Sequence, residues 1–599
     1  MAELNQKNRE EVPETFRWNA ESVFSDWNAW EQAFSKIEED LPRIEAIKGA
    51  LGESPEALEN AMAAIEDFVG HLGKVIFYAS MSQSVNTRDQ TAAEMLSRAQ
   101  GLHARCMGVL SFLEPELLAL DENLLKKWVK EHKSLGYLAH YLDNLFRKKE
   151  HVRSEEVEQV LGMVMEPFSA VGVTYNLLSN ADFDFHPAAA SDGTEKPVSQ
   201  GTYLRLLFSP DRMLRKNTWE SYLGEYYAHR NTLAANLAGS IKQCVFSARV
   251  RRFPDSLTGV LSADNIPIEV FHNLIAAFKK NLPLWHRYWR IRRKLLGVDQ
   301  LQPYDIWAPL SKDRPSVPYE QAVEWITEGL APMGDDYVET VRQGIWKDRW
   351  VDVYPTDGKR AGAFSYGTHG THPFICMSYN DTILSLSTLA HELGHSMHSY
   401  LTWQNQPVLY GDYSLFAAEV ASNFHQALVR DNLLKRDDPV LRIAVLEEAM
   451  SNFHRYFFIM PTLARLELDL HRRVERGQGI TAGCIMKRTV EFFEEGYGGE
   501  MEYDPDLLGM LWAPFGHLYE DYYVYQYATG ISGAHALAAR ILNSEDHAVE
   551  DYMGFLKAGG SLYPIEALQR AGVDLLTPAP VEAAFGVLEG IIEQLEALA

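Results

Sequence analysis

The sequence predicts a mainly α-helical protein with one small β element. Apolar residues recur at three- and four-residue steps through most of the chain, as they do along the buried face of a helix. One segment interrupts this pattern with glycines, two prolines and short apolar runs, RWVDVYPTDGKRAGAFSYGTHGTHPFICMSYN (349–380). At 599 residues the chain exceeds the size of one ordinary core, so we expect at least two lobes, or one large catalytic domain with an N-terminal extension.

The first third of the chain carries the clearest helical periodicity. Residues 53–81 predict one long helix, with Ser54 as its N-cap ahead of Pro55. Similar patterns follow at 85–120, 122–148 and 153–180. The stretch ADFDFHPAAASDGTEKPVSQG (181–201) is rich in Asp, Gly, Pro and Ser and predicts a boundary loop or a small hairpin. We therefore expect an N-terminal helical lobe at 1–195 and a second domain at 196–599.

The second part is also helical, apart from the interrupted segment. Helical pattern covers three further ranges, 201–250, 266–297 and 317–345, and returns after 380. Within the interruption, AGAFSYG (361–367) and PFICMSY predict short strands. The backbone of Gly362, Ala363 and Phe364 offers an edge that an extended peptide could join by strand addition. A hairpin that only caps the domain is an equally good interpretation.

Composition excludes several classes of function. The net charge of −26 argues against nucleic acid and against anionic membrane surfaces, which both favour basic patches. The N-terminus lacks an apolar signal region, and no window approaches the ~18 apolar residues of a membrane span. The four cysteines form no CxxC pair, so no disulfide framework or thiolate zinc site is indicated. We expect a reduced cytoplasmic protein in which His and carboxylate groups hold any metal.

The stretch TLAHELGHSMHSY (388–400) carries the strongest chemical signal. His391 and His395 are four residues apart, so on a helix they lie about 40° apart on one face and can share one metal ion. Glu392 is rotated by ~100° from His391, beside the ion rather than bound to it. A carboxylate in that position can accept a proton from a water activated by the metal. Leu389, Leu393 and Met397 form an apolar stripe on the opposite side.

A third ligand is expected on another helix. His398 shares the face of the other two, but three His over two turns cannot all reach a tetrahedral ion through ~2.0–2.1 Å bonds. His398 is therefore expected to pack or to hydrogen-bond beneath the site. Glu419 lies among small apolar residues in AAEVASNF, where a carboxylate is costly without a strong partner such as a metal. The alternative is an ordinary Glu on a half-exposed helix. Asn423, one turn later, is expected to orient a ligand His.

These motifs resemble the oligoendopeptidase F branch of the thimet oligopeptidase family, a group of gluzincin zinc peptidases. HELGHSMH followed by AAEVASNF has the family arrangement, and FGHLYEDYYVYQYATG (515–530) is similar to its His- and Tyr-rich motif. RWVDVYP, GKRAGAFSYG and residues 202–222 are also similar. The resemblance implies a multi-helical zincin-type fold with a deep substrate channel, and a catalytic role for 196–599. It implies one Zn²⁺ per chain and cleavage of short peptides.

The resemblance also assigns roles to residues. The zinc ligands would be His391, His395 and Glu419, and Glu392 would be the general base. His517, with a tyrosine from Tyr522 or Tyr525, would bind the oxyanion or orient the substrate. The remaining tyrosines of the segment would pack, namely Tyr519, Tyr523 and Tyr527. The family pattern commonly has Asp six residues before the first zinc His, where this chain has Ser385, so another group such as Asn423 would orient the ligands.

The sequence thus predicts a zinc endopeptidase that hydrolyses internal bonds of oligopeptides, with no nucleic-acid or membrane partner. It does not predict the oligomeric state. Zinc and Glu392 would together activate the water. One rival is a zinc carboxypeptidase or dipeptidyl carboxypeptidase on a similar scaffold. A second is a non-catalytic peptide-binding protein with a vestigial site, which the intact HELGH and Glu419 argue against.

Overall fold

The computed structural model describes residues 8–598, and most of them are helical. The helices of the first half are α1 Trp27–Glu45, α2 Pro55–Val85, α3 Gln90–Leu110, α4 Leu113–Ala119, α5 Glu122–Glu131, α6 Ala139–Arg147, α7 Glu155–Leu177, α8 Tyr203–Leu207, α9 Arg212–Ala228, α10 Arg230–Val250, α11 Ser256–Leu261, α12 Ile268–Lys280 and α13 Leu282–Leu296. Two short strands, β1 Ala188–Ala189 and β2 Glu195–Lys196, interrupt them.

The second half contains a three-stranded sheet and the remaining helices. Its strands are β3 Val351–Asp352, β4 Phe364–Tyr366 and β5 Phe374–Cys376. Its helices are α14 Tyr319–Gly329, α15 Asp335–Trp346, α16 Ile383–Asn405, α17 Leu415–Leu434, α18 Pro439–His454, α19 Met460–Glu475, α20 Ala482–Tyr497, α21 Pro505–Leu508, α22 Tyr525–Leu542, α23 Ala548–Ala558, α24 Pro564–Arg570 and α25 Ala579–Glu596.

The predicted mainly α fold with a small β element is confirmed. Helix α2 begins where its cap was expected, because the side chain of Ser54 accepts a hydrogen bond of 3.1 Å from the backbone N–H of Ala57. The break at 181–201 contains the antiparallel hairpin β1–β2, in which Ala188 pairs with Lys196.

The interrupted segment forms a three-stranded sheet in the order β3-β5-β4. Two of its strands were predicted, whereas β3 was not, because two residues in RWVDVYP are too short to show an alternating pattern. Strand β3 runs parallel to β5, and β4 runs antiparallel to β5 at the edge of the sheet. Helix α16 packs against β4 and β5, so the sheet supports the helix that carries HELGH.

The chain divides into two compact units, each built from three segments. The first unit contains the residues up to Glu150, Ser316–Val429 and Arg540–Gly572. The second contains His151–Pro315, Arg430–Ala539 and the residues from Val573 onward. A single boundary at 195 was expected from composition, but the chain passes between the units several times, which no local pattern signals.

Helix α16 presents its apolar face to the first unit. Thr382 caps its N-terminus by accepting from the backbone N–H of Ser385. Leu389, Leu393 and Met397 are buried, as their spacing predicted, and α14 and α23 also pack against the helix. In the second unit, α10 packs against α7, α11, α19 and α20. No helix within residues 8–598 has the length and apolar character that crossing a membrane requires.

Candidate active site

Three candidate metal ligands meet where α16 faces α17. His391 and His395 lie on α16, with ring centroids 4.9 Å apart, and Glu419 lies on α17. One donor atom of each residue lies within 4.8 Å of the donor atoms of the other two. The Nε2 atom of His391 is 3.7 Å from Oε2 of Glu419. The structure therefore brings together the three residues that the sequence put forward as ligands.

The close approach of the two helices depends on Gly394. A Cβ atom at this position would lie 2.7 Å from the Cα atom of Ser422 and would collide with the carbonyl oxygen of Ala421. No larger residue fits there without moving backbone. The glycine of HELGH thus lets α17 approach α16 closely enough for Glu419 to face the two histidines.

Replacing Gly394 with alanine is expected to move α17 away from α16. We expect a loss of stability of about 1–3 kcal/mol from overpacking and a weaker metal site, because Glu419 moves with its helix. Thermal unfolding and zinc titration measure the two effects. Gly101→Ala in α3 is the matched control, since nothing lies within 4 Å of its Cβ position, and it should leave zinc affinity unchanged. Unaltered zinc affinity in Gly394→Ala would contradict this interpretation.

The ring of His391 is oriented by Gln426. Its Nδ1 atom lies 3.0 Å from Oε1 of Gln426, and Nε2 of Gln426 donates to the hydroxyl of Ser387 at 2.7 Å. Because the amide oxygen only accepts, Nδ1 carries the proton and Nε2 is left to face a metal. This role was expected of Asn423. Gln426 was missed, although it lies seven residues after Glu419 and so on the same face of α17.

Asn423 and Ser422 instead hold the carboxylate ligand. The hydroxyl of Ser422 donates to Oε2 of Glu419 at 3.1 Å, and Nδ2 of Asn423 approaches the same oxygen at 3.4 Å. Ser385, the departure from the family pattern, directs its hydroxyl to Asn380 at the start of α16. The orienting groups of this site therefore come from α17 and from Ser387.

Substituting Gln426 with leucine is expected to lower zinc affinity by roughly 10- to 100-fold, because His391 loses the acceptor that fixes its ring. Gln426→Glu keeps an acceptor at this position and should retain most of the affinity. Competition with a chromogenic chelator measures both. Equal affinity of the leucine variant and the wild type would show that Gln426 does not position the ligand.

Glu392 is buried beside the ligands. It is 6% exposed, its Oε2 atom has no hydrogen-bond partner, and the backbone N–H of Ser365 donates to the carboxylate. Burial raises the pKa of Glu392 to about 7, with a further rise from Glu419 and an opposing effect of His391. A carboxyl group that titrates near neutrality is suited to accepting and returning a proton.

The hydrogen bond from Ser365 shows which way the edge of β4 faces. Ser365 is opposite Ile375, whose own N–H donates to the carbonyl of Trp350 on the other side of β5. The backbone groups of Ser365 therefore point away from β5, toward the free edge and Glu392. Of the predicted substrate residues, Gly362, with a φ of +92°, and Ala363 precede the strand, while Phe364 begins it and pairs with Cys376 of β5.

His398 lies outside the ligand group. It is buried, its ring stacks on Tyr413 with centroids 3.6 Å apart, and Phe555 packs at 5.3 Å. The expected packing role of His398 agrees with these contacts. Burial lowers the pKa of this ring, so it is neutral at physiological pH.

The His- and Tyr-rich segment lies in the second unit. His517 sits on a 3₁₀ turn, Gly516–Tyr519, and is partly exposed. Its ring centroid is 5.5 Å from that of Tyr523 and 5.9 Å from that of Tyr527. The hydroxyls of these two tyrosines are 3.2 Å apart, and both side chains are partly exposed. His517 is thus accompanied by two tyrosines that were expected to pack.

The two tyrosines expected to be catalytic are instead interior. Tyr522 and Tyr525 are each 1% exposed. The hydroxyl of Tyr522 lies 3.2 Å from that of Ser256, and the ring of Tyr525 packs on Phe271 at 5.3 Å. In this conformation both side chains are closed off from solvent, whereas Tyr523 and Tyr527 lie beside His517 and are partly exposed. The choice of Tyr522 or Tyr525 as the catalytic tyrosine stays a prediction.

Family models match most of the chain. The model for Peptidase family M3 matches residues 205–587, and the model for Oligopeptidase F matches residues 116–185. The chain belongs to peptidase family M3. It is thereby a metallopeptidase, and its relatives are metalloendopeptidases. This confirms the resemblance seen in the motifs.

The M3 relatives cover nearly the whole chain. Oligopeptidase PepF of Bacillus subtilis is 35% identical over 98% of this chain and 88% of its own length. An oligoendopeptidase F homologue of Lactococcus lactis is 32% identical over 99% of this chain and 98% of its own. The crystal structure of oligoendopeptidase-F from Enterococcus faecium, 30% identical, superposes with a TM-score of 0.73 over 97% of this chain and 99% of its own.

The M3 chain has a donor set that fits a zinc ion. Two imidazoles and one carboxylate are the ligands of a catalytic zinc site that keeps one position open. His391 presents Nε2, and the low pKa of His395, caused by burial and by His391, keeps that ring neutral as a ligand must be. The Oε2 atom of Glu392 has no hydrogen-bond partner, and this carboxyl group is close enough to His391 and Glu419 for their charges to act on its pKa.

Proposed function

We propose that this chain is a zinc endopeptidase that hydrolyses internal bonds of short oligopeptides. The convergence of His391, His395 and Glu419 beside the buried carboxylate of Glu392, one oxygen of which has no hydrogen-bond partner, is the observation that carries the proposal. A vestigial binding site would not need a buried base. The relatives named oligopeptidase and oligoendopeptidase support a peptide substrate.

The residues of the first unit divide the chemistry between them. His391, His395 and Glu419 would hold the zinc ion, which supplies polarisation of the scissile carbonyl and acidification of a water molecule. Glu392 accepts the proton of the attacking water and passes it to the leaving amine. The free edge of β4, where the backbone groups of Ser365 point away from β5, pairs with the extended substrate together with the preceding Gly362 and Ala363, so the peptide lies along β4 next to the base.

Doubly blocked peptides test this proposal against the exopeptidase alternative. An endopeptidase should cleave an N-acetylated, C-amidated peptide at an internal bond, whereas a carboxypeptidase or dipeptidyl carboxypeptidase needs a free C-terminus. We expect cleavage of short blocked peptides, no cleavage of a folded protein, and loss of the peptide cleavage after chelation. Cleavage restricted to peptides with a free C-terminus would refute the endopeptidase assignment.

We further infer that the hydroxyls next to His517 assist the reaction, by donating to the oxyanion or to the substrate. Tyr523→Phe and Tyr527→Phe should each lower kcat by on the order of tenfold, with a smaller change in KM, because such hydrogen bonds strengthen in the transition state. Tyr525→Phe, a buried tyrosine of the same segment, is the matched control and should leave kcat close to that of the wild type. A larger loss of kcat in Tyr525→Phe than in Tyr523→Phe and Tyr527→Phe would instead support Tyr525 as the catalytic tyrosine.

A further inference from the structure

A second group of metal-ligating side chains lies inside the second unit. Cys244 on α10, His471 on α19 and Asp521 just before α22 each place one donor atom within 4.8 Å of the other two. Among residues 8–598, this group and the His391 group are the two that meet this criterion. Cys244 and His471 are buried, and the Asp521 side chain is 28% exposed.

The orientation of His471 points to a cation. Its Nδ1 lies 2.9 Å from the carbonyl oxygen of Glu467, one turn earlier in α19, and a carbonyl can only accept. The proton of a neutral ring is therefore on Nδ1, and the bare Nε2 faces Oδ1 of Asp521 at 3.4 Å. Two lone-pair-bearing atoms in that arrangement repel each other unless a positive charge lies between them. His391 and Glu419 are placed in the same way in the first unit.

The spacing suits a tetrahedral ion. Bonds of ~2.0–2.1 Å to nitrogen and oxygen place neighbouring ligand atoms of a tetrahedron about 3.4 Å apart. The Cys244 thiol is within hydrogen-bonding reach of Asp521, the carboxylate that also faces Nε2 of His471. A nucleophilic Cys–His–Asp triad would instead need the acid on the opposite ring nitrogen, which the carbonyl of Glu467 already occupies.

A buried carboxyl group and a cavity adjoin these three residues. Glu467 is 2% exposed; its Oε1 accepts from the backbone N–H of Tyr522, and its Oε2 has no partner. Burial and the charge of Asp521 both raise the pKa of Glu467. Burial, Asp521 and Glu467 raise the pKa of the Cys244 thiol. A buried carboxyl oxygen without a partner is costly unless a ligand satisfies it. A cavity of about 610 Å³ reaches Cys244 and Asp521 and admits solvent.

We propose that Cys244, His471 and Asp521 form a second metal site that binds a thiophilic divalent cation of the Zn²⁺ class. Glu467 or a water molecule from the cavity takes the fourth position. Binding releases the thiol proton to solvent and leaves a thiolate as ligand. The ion links α10 and α19 to the segment after His517, in which Tyr522 has a φ of +50°. Its role is to hold this segment in a backbone conformation that is costly for a tyrosine.

Cobalt titration of the full-length, metal-depleted protein tests the proposal. Tetrahedral Co²⁺ bound to a thiolate has an intense near-ultraviolet charge-transfer band, which a His–His–Glu site cannot produce. We expect two Co²⁺ per chain and this band in the wild type. Cys244→Ser should bind one Co²⁺ and lack the band, while Cys484→Ser, outside the cluster, should match the wild type. Glu419→Gln should keep the band, which makes the result independent of the proposed zinc peptidase site.

A second variant and a second ion guard against a folding artefact. Asp521→Asn alters a partly exposed side chain. It should raise the Co²⁺ concentration that half-saturates the band by on the order of tenfold or more and leave the circular dichroism spectrum unchanged. Zn²⁺ should displace the Co²⁺ and abolish the band. One Co²⁺ per chain without a charge-transfer band, or a band that survives in Cys244→Ser, would overturn the proposal. The first of these outcomes would mean that His471 is protonated and pairs directly with Asp521.

Discussion

Replacing Glu392 by glutamine is expected to lower kcat by about 10²- to 10⁴-fold, which corresponds to about 3–5 kcal/mol of activation free energy. Glutamine has the same shape and can still accept from the N–H of Ser365, so the fold and the ligands should be undisturbed. It cannot accept a proton from water. Steady-state hydrolysis of a blocked fluorogenic peptide measures the loss.

The zinc content of the Glu392→Gln protein distinguishes loss of the base from loss of the metal. Because Glu392 lies beside the ligand group rather than within it, we expect the variant to retain the zinc of the wild type. Glu324→Gln, an exposed position on α14, is the control and should be fully active. Residual turnover within a few-fold of the wild type would eliminate Glu392 as the base.

Replacing Glu419 by glutamine is expected to remove both zinc and activity. The substitution takes away the only anionic group of the His391–His395–Glu419 set, and a neutral amide is a poor zinc ligand. We expect zinc affinity to fall by two orders of magnitude or more and hydrolysis to fall to that of the chelated wild type. Elemental analysis after dialysis against a weak chelator measures the zinc.

The stability of Glu419→Gln should separate loss of a ligand from loss of the fold. Zinc stabilises the wild type by binding only the native state, by ~2.7 kcal/mol when zinc is at 100 times its Kd. The metal-free wild type buries a carboxylate at 7% exposure beside two imidazoles, an arrangement that is costly without a cation. Metal-free Glu419→Gln should therefore be at least as stable as metal-free wild type, and added zinc should not raise its Tm. A zinc-dependent rise in Tm would show that Glu419 is not required as a ligand.

Local patterns predicted the helices, and they put forward His391, His395 and Glu419, which the structure places together, because each of these inferences depends on spacing and setting within a single helix. The i, i+4 pair in HELGH determines where His391 and His395 point once α16 forms. The apolar setting of Glu419 singled it out because buried carboxylates are rare without a partner. Both arguments use residues that are neighbours in sequence.

The surroundings of the tyrosines could not be predicted from spacing because the segment that carries them is not helical throughout. A 3₁₀ turn covers Gly516–Tyr519, Tyr522 has a left-handed φ of +50°, and α22 begins only at Tyr525. Helical spacing therefore does not decide which rings share a face before Tyr525. The turn places Tyr523 beside His517 instead.

Contacts between distant segments were also beyond the reach of local patterns. Gln426 was missed because its contact with His391 depends on how closely α17 approaches α16 at Gly394. The Cys244 group was missed for the same reason, since its three members lie on segments far apart in sequence and no short motif joins them. Strand β3 is visible only through its pairing with β5.

Anomalous diffraction at the zinc edge, from crystals of the full-length protein grown with zinc, tests the central claim most directly. The claim is that His391, His395 and Glu419 hold the metal that serves this M3 peptidase. We predict an anomalous peak at about 2.0–2.2 Å from Nε2 of His391, from a ring nitrogen of His395 and from a carboxylate oxygen of Glu419, with Glu392 and His398 not bound to it. A fully loaded protein without a peak at this position, or with Glu419 turned away from it, would contradict the account.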